Sequence, residues 1–265
     1  MLDIAAERAG YRHIVVERVG STNDDALALA RGGDAGKVWI QARVQSTGRG
    51  RSGRAWSSPT GNLYATLLLV DPAEPRHAPE LGFVAGLALV RAVRRLPGTP
   101  AGVAIKWPND LLHDGAKFAG ILVEGTQRPD GCFAAAIGFG VNCRSHPIGL
   151  DYPATDLSAL VGQDLSADAL FRHLSREMGV ALELWDRGRN FAAIRDGWLD
   201  HALPKGSRLA ARTASSIKEG IFDTIDDRGR LVLQTGSGPL IVDAADVFLT
   251  QRAIPLRAPH GENND

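Results

Sequence analysis

The feature that most limits the possible folds is a change of sequence pattern near residue 203. Before it, strand-like and helical segments alternate along the chain. From Gly206 onward, short apolar segments are separated by turn residues. Alternating elements predict a mixed sheet with packed helices, whereas a run of short strands suggests a small barrel. We therefore expect an α+β domain over residues 1–203, a barrel over residues 204–252 and a disordered tail over residues 253–265.

Composition excludes several classes of protein. Among the 265 residues, 30 Lys and Arg balance 30 Asp and Glu, so a site for a polyanion must be local. The longest apolar stretch, Leu81 to Val90, is too short to cross a bilayer. The two cysteines, Cys132 and Cys143, are too few for a disulfide framework, which suits a reducing compartment. We expect a cytoplasmic protein that does not span a membrane.

A long loop between two predicted strands, Gln45 to Trp56, has the sequence QSTGRGRSGRAW. Its arginines, Arg49, Arg51 and Arg54, alternate with glycines and have no acid near them in the sequence. Glycines let the backbone approach a ligand and guanidinium groups offer paired donors, so this loop suits a nucleotide phosphate. The letters also match GxGxxG, but the following SSPTG is incompatible with the long helix that this fingerprint requires. A flexible, RNA-binding Arg/Gly tract remains an alternative.

A second group of polar residues lies in KWPND, residues 106–110, and in the strand-like KFAGILVEG that begins at Lys117. Pro108 ends the preceding strand, so Asn109 and Asp110 are expected at a strand edge, a common place for a site. Lys117 stands beside an apolar run. Its ammonium group is expected either to reach solvent or to point into a pocket.

Two further segments have both a structural and a functional interpretation. Ser21 and Thr22 precede a helical pattern and can cap that helix, or they can bind a polar ligand together with Asn23. Gly138 and Gly140 fall on one face of the strand IGFGVN, where missing side chains leave room for a flat ligand or for a packed backbone.

The usual signatures of metal sites and of two enzyme classes are missing. The seven histidines are scattered without ligand spacing, and neither GxSxG nor GxxxxGK[ST] occurs. The sequence therefore gives no support to a histidine metal site, a serine hydrolase or a P-loop kinase.

Five motifs in order, STN, QSTGRGRSGRAW with SSPTGNLY, KWPND, KFAGILVE and GFGVN, resemble the biotin protein ligase family. The strong motifs cover about Gly10 to Asn142, and the architecture extends to about Phe248. The resemblance implies a class II synthetase-like catalytic domain, with a mixed sheet and packed helices, followed by an SH3-like barrel. It also implies an enzyme that uses ATP to form biotinyl-5′-AMP and then transfers biotin to a lysine of a biotin carboxyl carrier protein.

The resemblance assigns roles to individual positions. The implied catalytic residues are Lys117, Arg49, Arg51 and Asp110. The implied biotin-binding residues are Ser21, Thr22, Asn23, Gln45, Arg49, Gly50, Arg51, Lys117, Gly138 and Gly140. The implied ATP-binding residues are Arg49, Arg51, Arg54, Trp56, Lys106, Asn109, Asp110, Lys117 and Asn142. Asp110 is in addition the candidate for Mg²⁺, and for orienting or deprotonating the incoming lysine.

The motif STN begins at residue 21, which leaves no space for the N-terminal DNA-binding domain of family members that act as repressors. We therefore expect no DNA partner, and we leave a homodimer open. The glycine–arginine loop is expected to be mobile when empty and ordered with ligand. Two alternatives remain: a lipoyl or octanoyl transfer enzyme of similar fold, and a non-catalytic RNA-binding protein.

Overall fold

The computed structural model describes residues 1–163, 165–212 and 216–250. The chain divides into two compact units, one that ends at Ala202 and one that begins at Leu203. The tail predicted for residues 253–265 lies outside the described residues. Within the described ranges, every helix is too short or too polar to cross a membrane.

The first unit contains six helices and seven strands within the described residues. The helices are α1 Ile4–Arg8, α2 Thr22–Arg31, α3 Leu81–Arg94, α4 Leu157–Val161, α5 Ala167–Trp185 and α6 Phe191–Leu199. The strands are β1 Arg12–Val19, β2 Val38–Gln45, β3 Leu63–Val70, β4 Val103–Lys106, β5 Asp110–His113, β6 Ala116–Gln127 and β7 Phe133–Val141.

These strands form one mixed sheet in the order β1-β2-β3-β7-β6-β5-β4. Only β1 and β2 are parallel neighbours, and the other pairs are antiparallel. Successive side chains of a strand point to opposite faces. On β2, Ile40 packs in a cluster with Ala26 of α2, whereas Trp39 makes a ring contact with Phe171 of α5. The sheet is therefore covered by α2 on one face and by α5 on the other.

Local pattern predicted most of these elements. The sequence pattern predicts strands over Arg12–Val19, Val103–Lys106 and Phe133–Val141, and β1, β4 and β7 have these bounds. The predicted mixed sheet with packed helices is confirmed. Apolar residues at helical spacing predict a helix over Pro79–Leu96, but the helix begins at Leu81, after a 3-10 segment over Pro75–Glu80. Strand β5 was not predicted, because four residues after a turn give too short a pattern to recognise.

The second unit is a sheet of five antiparallel strands. These are β8 Arg208–Arg212, β9 Ile217–Ile225, β10 Leu231–Thr235, β11 Gly238–Val242 and β12 Asp246–Leu249. The order β11-β10-β9-β8-β12 leaves β11 and β12 at opposite edges. A barrel requires its two end strands to pair with each other. The all-β unit is confirmed, but the prediction of a barrel is corrected: the described strands form an open sheet, with two short end strands that do not meet.

Candidate functional site

The first part of the site is the start of α2. Ser21 occupies the N-cap position in an extended conformation, but its hydroxyl makes no capping hydrogen bond within the described ranges. The Thr22 backbone N–H instead donates to Oε1 of Gln45, at 2.9 Å, and the Thr22 hydroxyl donates to the same oxygen, at 3.0 Å. Gln45 thus partly caps the helix, because it accepts from one of the N–H groups that have no partner within the helix at its N-terminus. The buried Ser21 hydroxyl is not used by the helix.

Asn23 connects this helix start to the sheet. Its Nδ2 donates to Oε2 of Glu124, at 2.7 Å, and its Oδ1 accepts from the hydroxyl of the fully buried Thr66, at 2.7 Å. The Thr66 hydroxyl also lies 2.7 Å from Oγ1 of Thr22. Gln45 continues the chain of contacts, because its Nε2 donates to Oγ of Ser58. We call Thr22, Asn23, Gln45, Ser58, Thr66 and Glu124 the polar network.

The glycines of β7 make room for side chains of the protein itself. A Cβ at Gly138 would overlap the Asn23 amide, and a Cβ at Gly140 would lie 2.6 Å from the Trp56 indole. The sequence left a flat ligand and a packed backbone as alternatives for this face. The structure shows that the space beside these glycines is occupied by Asn23 and Trp56.

The glycine–arginine loop folds back on itself as a tight turn. The Gly50 N–H donates to Arg54 O, at 2.7 Å, and the Trp56 N–H donates to Gly48 O, at 2.9 Å. A 3-10 turn covers Arg51–Gly53, so the long helix of a dinucleotide-binding fingerprint does not begin here. Gly48 is required, because a Cβ there would lie within 3 Å of three polar atoms, from Gln45, Trp56 and Ser58.

Arg49 lies between two carboxylates that are distant in sequence. Its Nη1 and Nη2 donate to Asp24, at 2.8 and 2.7 Å, and its Nη2 donates to Oε2 of Glu124, at 3.0 Å. Hydrogen bonding to Arg49 lowers the pKa of Asp24, and hydrogen bonding to Asp24 raises the pKa of Arg49. We call Asp24, Arg49 and Glu124 the carboxylate clamp.

A second ionic group joins three strands. Asp110, at the start of β5, lies opposite Lys106 across the β4–β5 hairpin. Its Oδ2 is 2.9 Å from Nζ of Lys106, and its Oδ1 is 2.6 Å from Nζ of Lys117, on β6. Burial alone would raise the pKa of Asp110, but the two ammonium groups outweigh it, and the pKa lies below its usual value. We call Lys106, Asp110 and Lys117 the lysine cluster.

Trp56 covers a part of the sheet that lacks side chains. Gly120 and Gly140 are direct cross-strand partners on β6 and β7, and the indole lies against both positions. Nζ of Lys117 is 5.4 Å from the centre of this ring, close enough for a cation–π contact. The indole Nε1 is buried without a hydrogen-bond partner among the residues that the structure describes. Trp56 thus connects the loop to the lysine cluster.

Asn109 and Asn142 hold backbone segments at the edge of this region. Nδ2 of Asn109 donates to the Ile121 carbonyl, at 2.6 Å, and Nδ2 of Asn142 donates to the Thr155 carbonyl, at 3.1 Å. Both amides therefore shape the walls of the site, whatever else they bind. Each of these bonds uses one of the two N–H groups of the amide.

Comparisons with known proteins show the family of this chain. The model of the Biotin/lipoate A/B protein ligase family matches residues 16–142, and the biotin protein ligase C terminal domain matches residues 206–250. A biotin--[acetyl-CoA-carboxylase] ligase from Paracoccus denitrificans is 40% identical over 239 residues, which cover 88% of this chain and 99% of that protein. The chain belongs to the biotin protein ligase family.

Other members of the biotin protein ligase family extend the comparison. A biotin--[acetyl-CoA-carboxylase] ligase from Mycobacterium tuberculosis is 34% identical over 248 residues, or 90% of each chain. A biotin protein ligase from Aquifex aeolicus, solved in complex with biotin and ATP, is 22% identical and has a TM-score of 0.77. That match covers 90% of this chain and 99% of the other, so the fold is shared over most of both chains.

Three residues of the candidate site were not predicted from the sequence. Thr66 is a hydroxyl-bearing residue within an apolar strand. Glu124 ends the motif KFAGILVE, in which only Lys117 was assigned a role. Tyr152 lies in an irregular segment, yet Nζ of Lys117 is 5.7 Å from its ring centre. That segment is fixed by the backbone, since the Lys117 N–H donates to Pro153 O, at 2.8 Å. Nothing in the local sequence pattern indicates these positions.

The predicted residues of the site are connected by contacts on the α2 face of the sheet. The polar network and the carboxylate clamp share Glu124, and Trp56 links the loop to Lys117. Arg51 and Arg54 lie at the turn of the loop, where Nε of Arg54 donates to the Arg51 carbonyl, at 3.3 Å. In the described part of the chain, no three His, Cys, Asp or Glu side chains form a group that could hold a metal ion.

Proposed function

We propose that the chain catalyses the two reactions of a biotin protein ligase. The observation that carries this proposal is the combination, on one sheet face, of uncharged hydrogen-bonding groups with two partly exposed lysines that share the buried Asp110. One of them, Lys117, also lies over the Trp56 indole. In the first reaction a biotin carboxylate oxygen attacks the α-phosphorus of ATP, and pyrophosphate leaves. In the second, a lysine amine of a carrier protein attacks the acyl carbon, AMP leaves and the amine loses a proton.

The polar network is suited to the ureido ring of biotin. This ring has one acceptor and two N–H donors, and all three require partners when the ring is buried. We assign Ser21, Thr22, Asn23 and Gln45 to this role. Ser21 offers the hydroxyl that is not used by α2, while the other three side chains already hold one another in place. Groups fixed before binding lose little freedom when the ligand arrives.

The lysine cluster is suited to the anions that meet in the first reaction. It carries a formal charge of +1, because one carboxylate lies between two ammonium groups. We place the biotin carboxylate and the α-phosphate at Lys117, where a fixed cation stabilises the charge that develops during adenylation. Arg51, Arg54 and the backbone at Gly50 supply further contacts to the phosphates.

Trp56, Asn109 and Asn142 are assigned to the nucleotide side of the site. An indole surface holds a base without strong hydrogen-bond readout. The amide nitrogens of the two asparagines each donate to a backbone carbonyl, which fixes the side chains at the wall and leaves a second N–H and the amide oxygen for a nucleotide.

Asp110 is better suited to orienting a lysine than to acting as a base. Its pKa lies below the usual value despite its burial, and a carboxylate with a low pKa is a weak proton acceptor. The same two ion pairs disfavour Mg²⁺ binding at Asp110, because a single carboxylate between two ammonium groups is a poor ligand for a divalent cation. Asp110 therefore does not fit a resident magnesium site. We propose that Mg²⁺ enters with the phosphates of ATP as part of the substrate.

The partner that we propose is the biotin-accepting domain of a carboxylase. A homodimer is a further proposal, and sedimentation velocity of the purified protein tests it. The cytoplasmic location that we propose is supported by the free state of both cysteines.

The deciding experiment follows pyrophosphate release from purified protein with ATP and Mg²⁺, with biotin, lipoate or no acid added. The proposed function requires release with biotin only, followed by a mass increase of a biotin-accepting domain on one lysine. Release with lipoate only would identify a lipoyl-transfer enzyme instead. No release with either acid, together with RNA affinity that falls steeply with salt, would support the RNA-binding alternative.

A further inference from the structure

The carboxylate clamp leaves Arg49 few donors for a ligand. Its Nε donates to Oε1 of Glu124, at 3.3 Å, while Nη1 and Nη2 donate to Asp24, and Nη2 also donates to Glu124. All three nitrogens of the guanidinium group are thus directed at carboxylate oxygens. An anionic ligand at this arginine would have to displace charge-assisted hydrogen bonds that are already formed.

The charge of the clamp also opposes an anion. One guanidinium between two carboxylates gives a formal charge of −1. A phosphate or a biotin carboxylate placed there meets a negative group, whereas the lysine cluster offers a positive one. Like charges at close range destabilise a complex, and the effect is greatest where solvent is excluded.

The clamp has a second connection, to the polar network. Glu124 accepts a hydrogen bond from Asn23. From Asn23, contacts pass through Thr66, Thr22 and Gln45 to Ser58, which lies two residues after the end of the loop. Arg49 is thus held within the loop, and Ser58 is held just after it. The carboxylates therefore act on both the loop and the groups assigned to the ureido ring.

We propose that Asp24 and Glu124 are positioning residues, which fix Arg49 as a structural cation that orders the glycine–arginine loop before biotin binds, in contrast to the expectation from sequence that the empty loop is mobile. This assignment rests on the proposed function, and it moves Arg49 from the anion-binding set to the framework of the loop. Ordering a loop costs conformational entropy for each residue that is fixed. An ordered loop leaves less of this cost to the binding of biotin.

The test uses Asp24→Asn and Glu124→Gln, which keep shape and leave the loop sequence intact. Asp25→Asn is the matched control, since it removes the same charge from the neighbouring position of α2, and Asp25 is not among the partners of Arg49. Each variant is treated with trypsin, which cleaves after the loop arginines, in the absence of ligands. The KM values for biotin and ATP and the kcat of pyrophosphate release are then measured.

Glu124→Gln is expected to raise the KM for biotin about tenfold and to speed loop cleavage by a similar factor, as for loss of a charge-assisted hydrogen bond. Asp24→Asn, whose side chain is 55% exposed, is expected to change both about threefold. The kcat with saturating substrates stays within about twofold, since a positioning role affects binding more than the chemical step. Asp25→Asn behaves as wild type.

Two results would overturn the proposal. If Arg49 is an anion ligand that its carboxylates restrain, both variants release it and the KM for ATP falls. If both variants match Asp25→Asn in cleavage and in KM, the carboxylates do not position the loop. A Glu124→Gln protein that does not fold leaves the exposed Asp24→Asn to decide. Trypsin cleavage needs no turnover, so the clamp is tested even if wild type releases no pyrophosphate with biotin, a failure that overturns the proposed function alone.

Discussion

Two ionic groups on the same sheet face have opposite compositions. The carboxylate clamp has one cation between two carboxylates, and the lysine cluster has one carboxylate between two cations. Their environments differ as well, because the side chain of Asp24 is 55% exposed and that of Asp110 is 11% exposed. The comparison teaches that the number of arginines in the loop is a poor guide to an anion site. Our proposal instead places the anions by the net formal charge of each group.

The largest effect is expected where the comparison places the substrate anions. Lys117→Ala removes a fixed cation from the lysine cluster and should slow adenylation about a hundredfold, equivalent to about 3 kcal/mol of transition-state stabilisation. Single-turnover pyrophosphate release measures this step. Lys218→Ala, on an exposed position of β9, is the control. Near-normal release by Lys117→Ala would place the reacting anions elsewhere.

An Asp→Asn substitution should lower the free energy of unfolding more in the lysine cluster than in the carboxylate clamp. Asp110→Asn removes a buried carboxylate from two partly exposed ammonium groups and should reduce the free energy of unfolding by about 3 kcal/mol. Asp24→Asn breaks a partly exposed pair and should cost less than about 1 kcal/mol. Urea denaturation measures both. Equal losses would contradict the difference in burial on which the comparison depends.

Acidification adds a check on the Asp110 ion pairs. Its pKa in the folded protein lies below the ordinary value of 3.8. A lowered folded pKa gives stability that is fully present above the unfolded pKa and is lost as the pH falls through the folded value. The difference between wild type and Asp110→Asn should therefore be constant near pH 7 and shrink below about pH 4. A difference that grows on acidification would show that the charged form of Asp110 is not stabilising.

The polar network gives a prediction of intermediate size. Gly138→Ala places a Cβ on the Asn23 amide, and overpacking of this kind should cost about 2 kcal/mol of stability and weaken biotin binding. Gly82→Ala is the contrasting control, because a Cβ there meets nothing within 4 Å and α3 should gain about 1 kcal/mol. Thermal unfolding and biotin titration report both effects. Losses of the same sign at both positions would indicate a general intolerance of the substitution.

The smallest stability effect is expected at Ser21. Its hydroxyl makes no capping bond within the described ranges, so Ser21→Ala should change the free energy of unfolding by less than about 0.5 kcal/mol. Loss of a neutral hydrogen bond to the ureido ring should weaken biotin about fivefold. Isothermal titration and urea denaturation separate these quantities. Loss of stability without loss of affinity would restore the capping interpretation.

Much of the fold was accessible from local pattern because its elements carry strong periodic signals. β1, β4 and β7 were predicted with their bounds, and in the second unit the pattern IKEGIFDTI predicts a strand over Ile217–Ile225, which are the bounds of β9. Strands β5 and β12 were not predicted, since each is only four residues long. Closure of the last sheet was predicted wrongly, because the number of short strands does not specify which edges pair.

The candidate site shows the same division. The motifs identified Gln45, Arg49, Trp56 and Lys117 as chemically important positions, and their assigned roles remain predictions. The lack of acids around Arg49 in the sequence suggested a free cation. The structure instead brings Glu124, 75 residues along the chain, within 3.0 Å of its guanidinium.

The sequence by itself determined the order of the elements, the place where the pattern changes and the residue types available for chemistry. These depend on periodicity and on motifs that are read locally. Only the tertiary structure decided that the Arg49 guanidinium is paired with two carboxylates and that Asp110 joins two lysines. It alone also decided that Asn23 and Trp56 occupy the space beside Gly138 and Gly140. The physical reason is that charge pairing and close packing depend on distances through space, and sheet pairing brings together residues that are far apart in the chain.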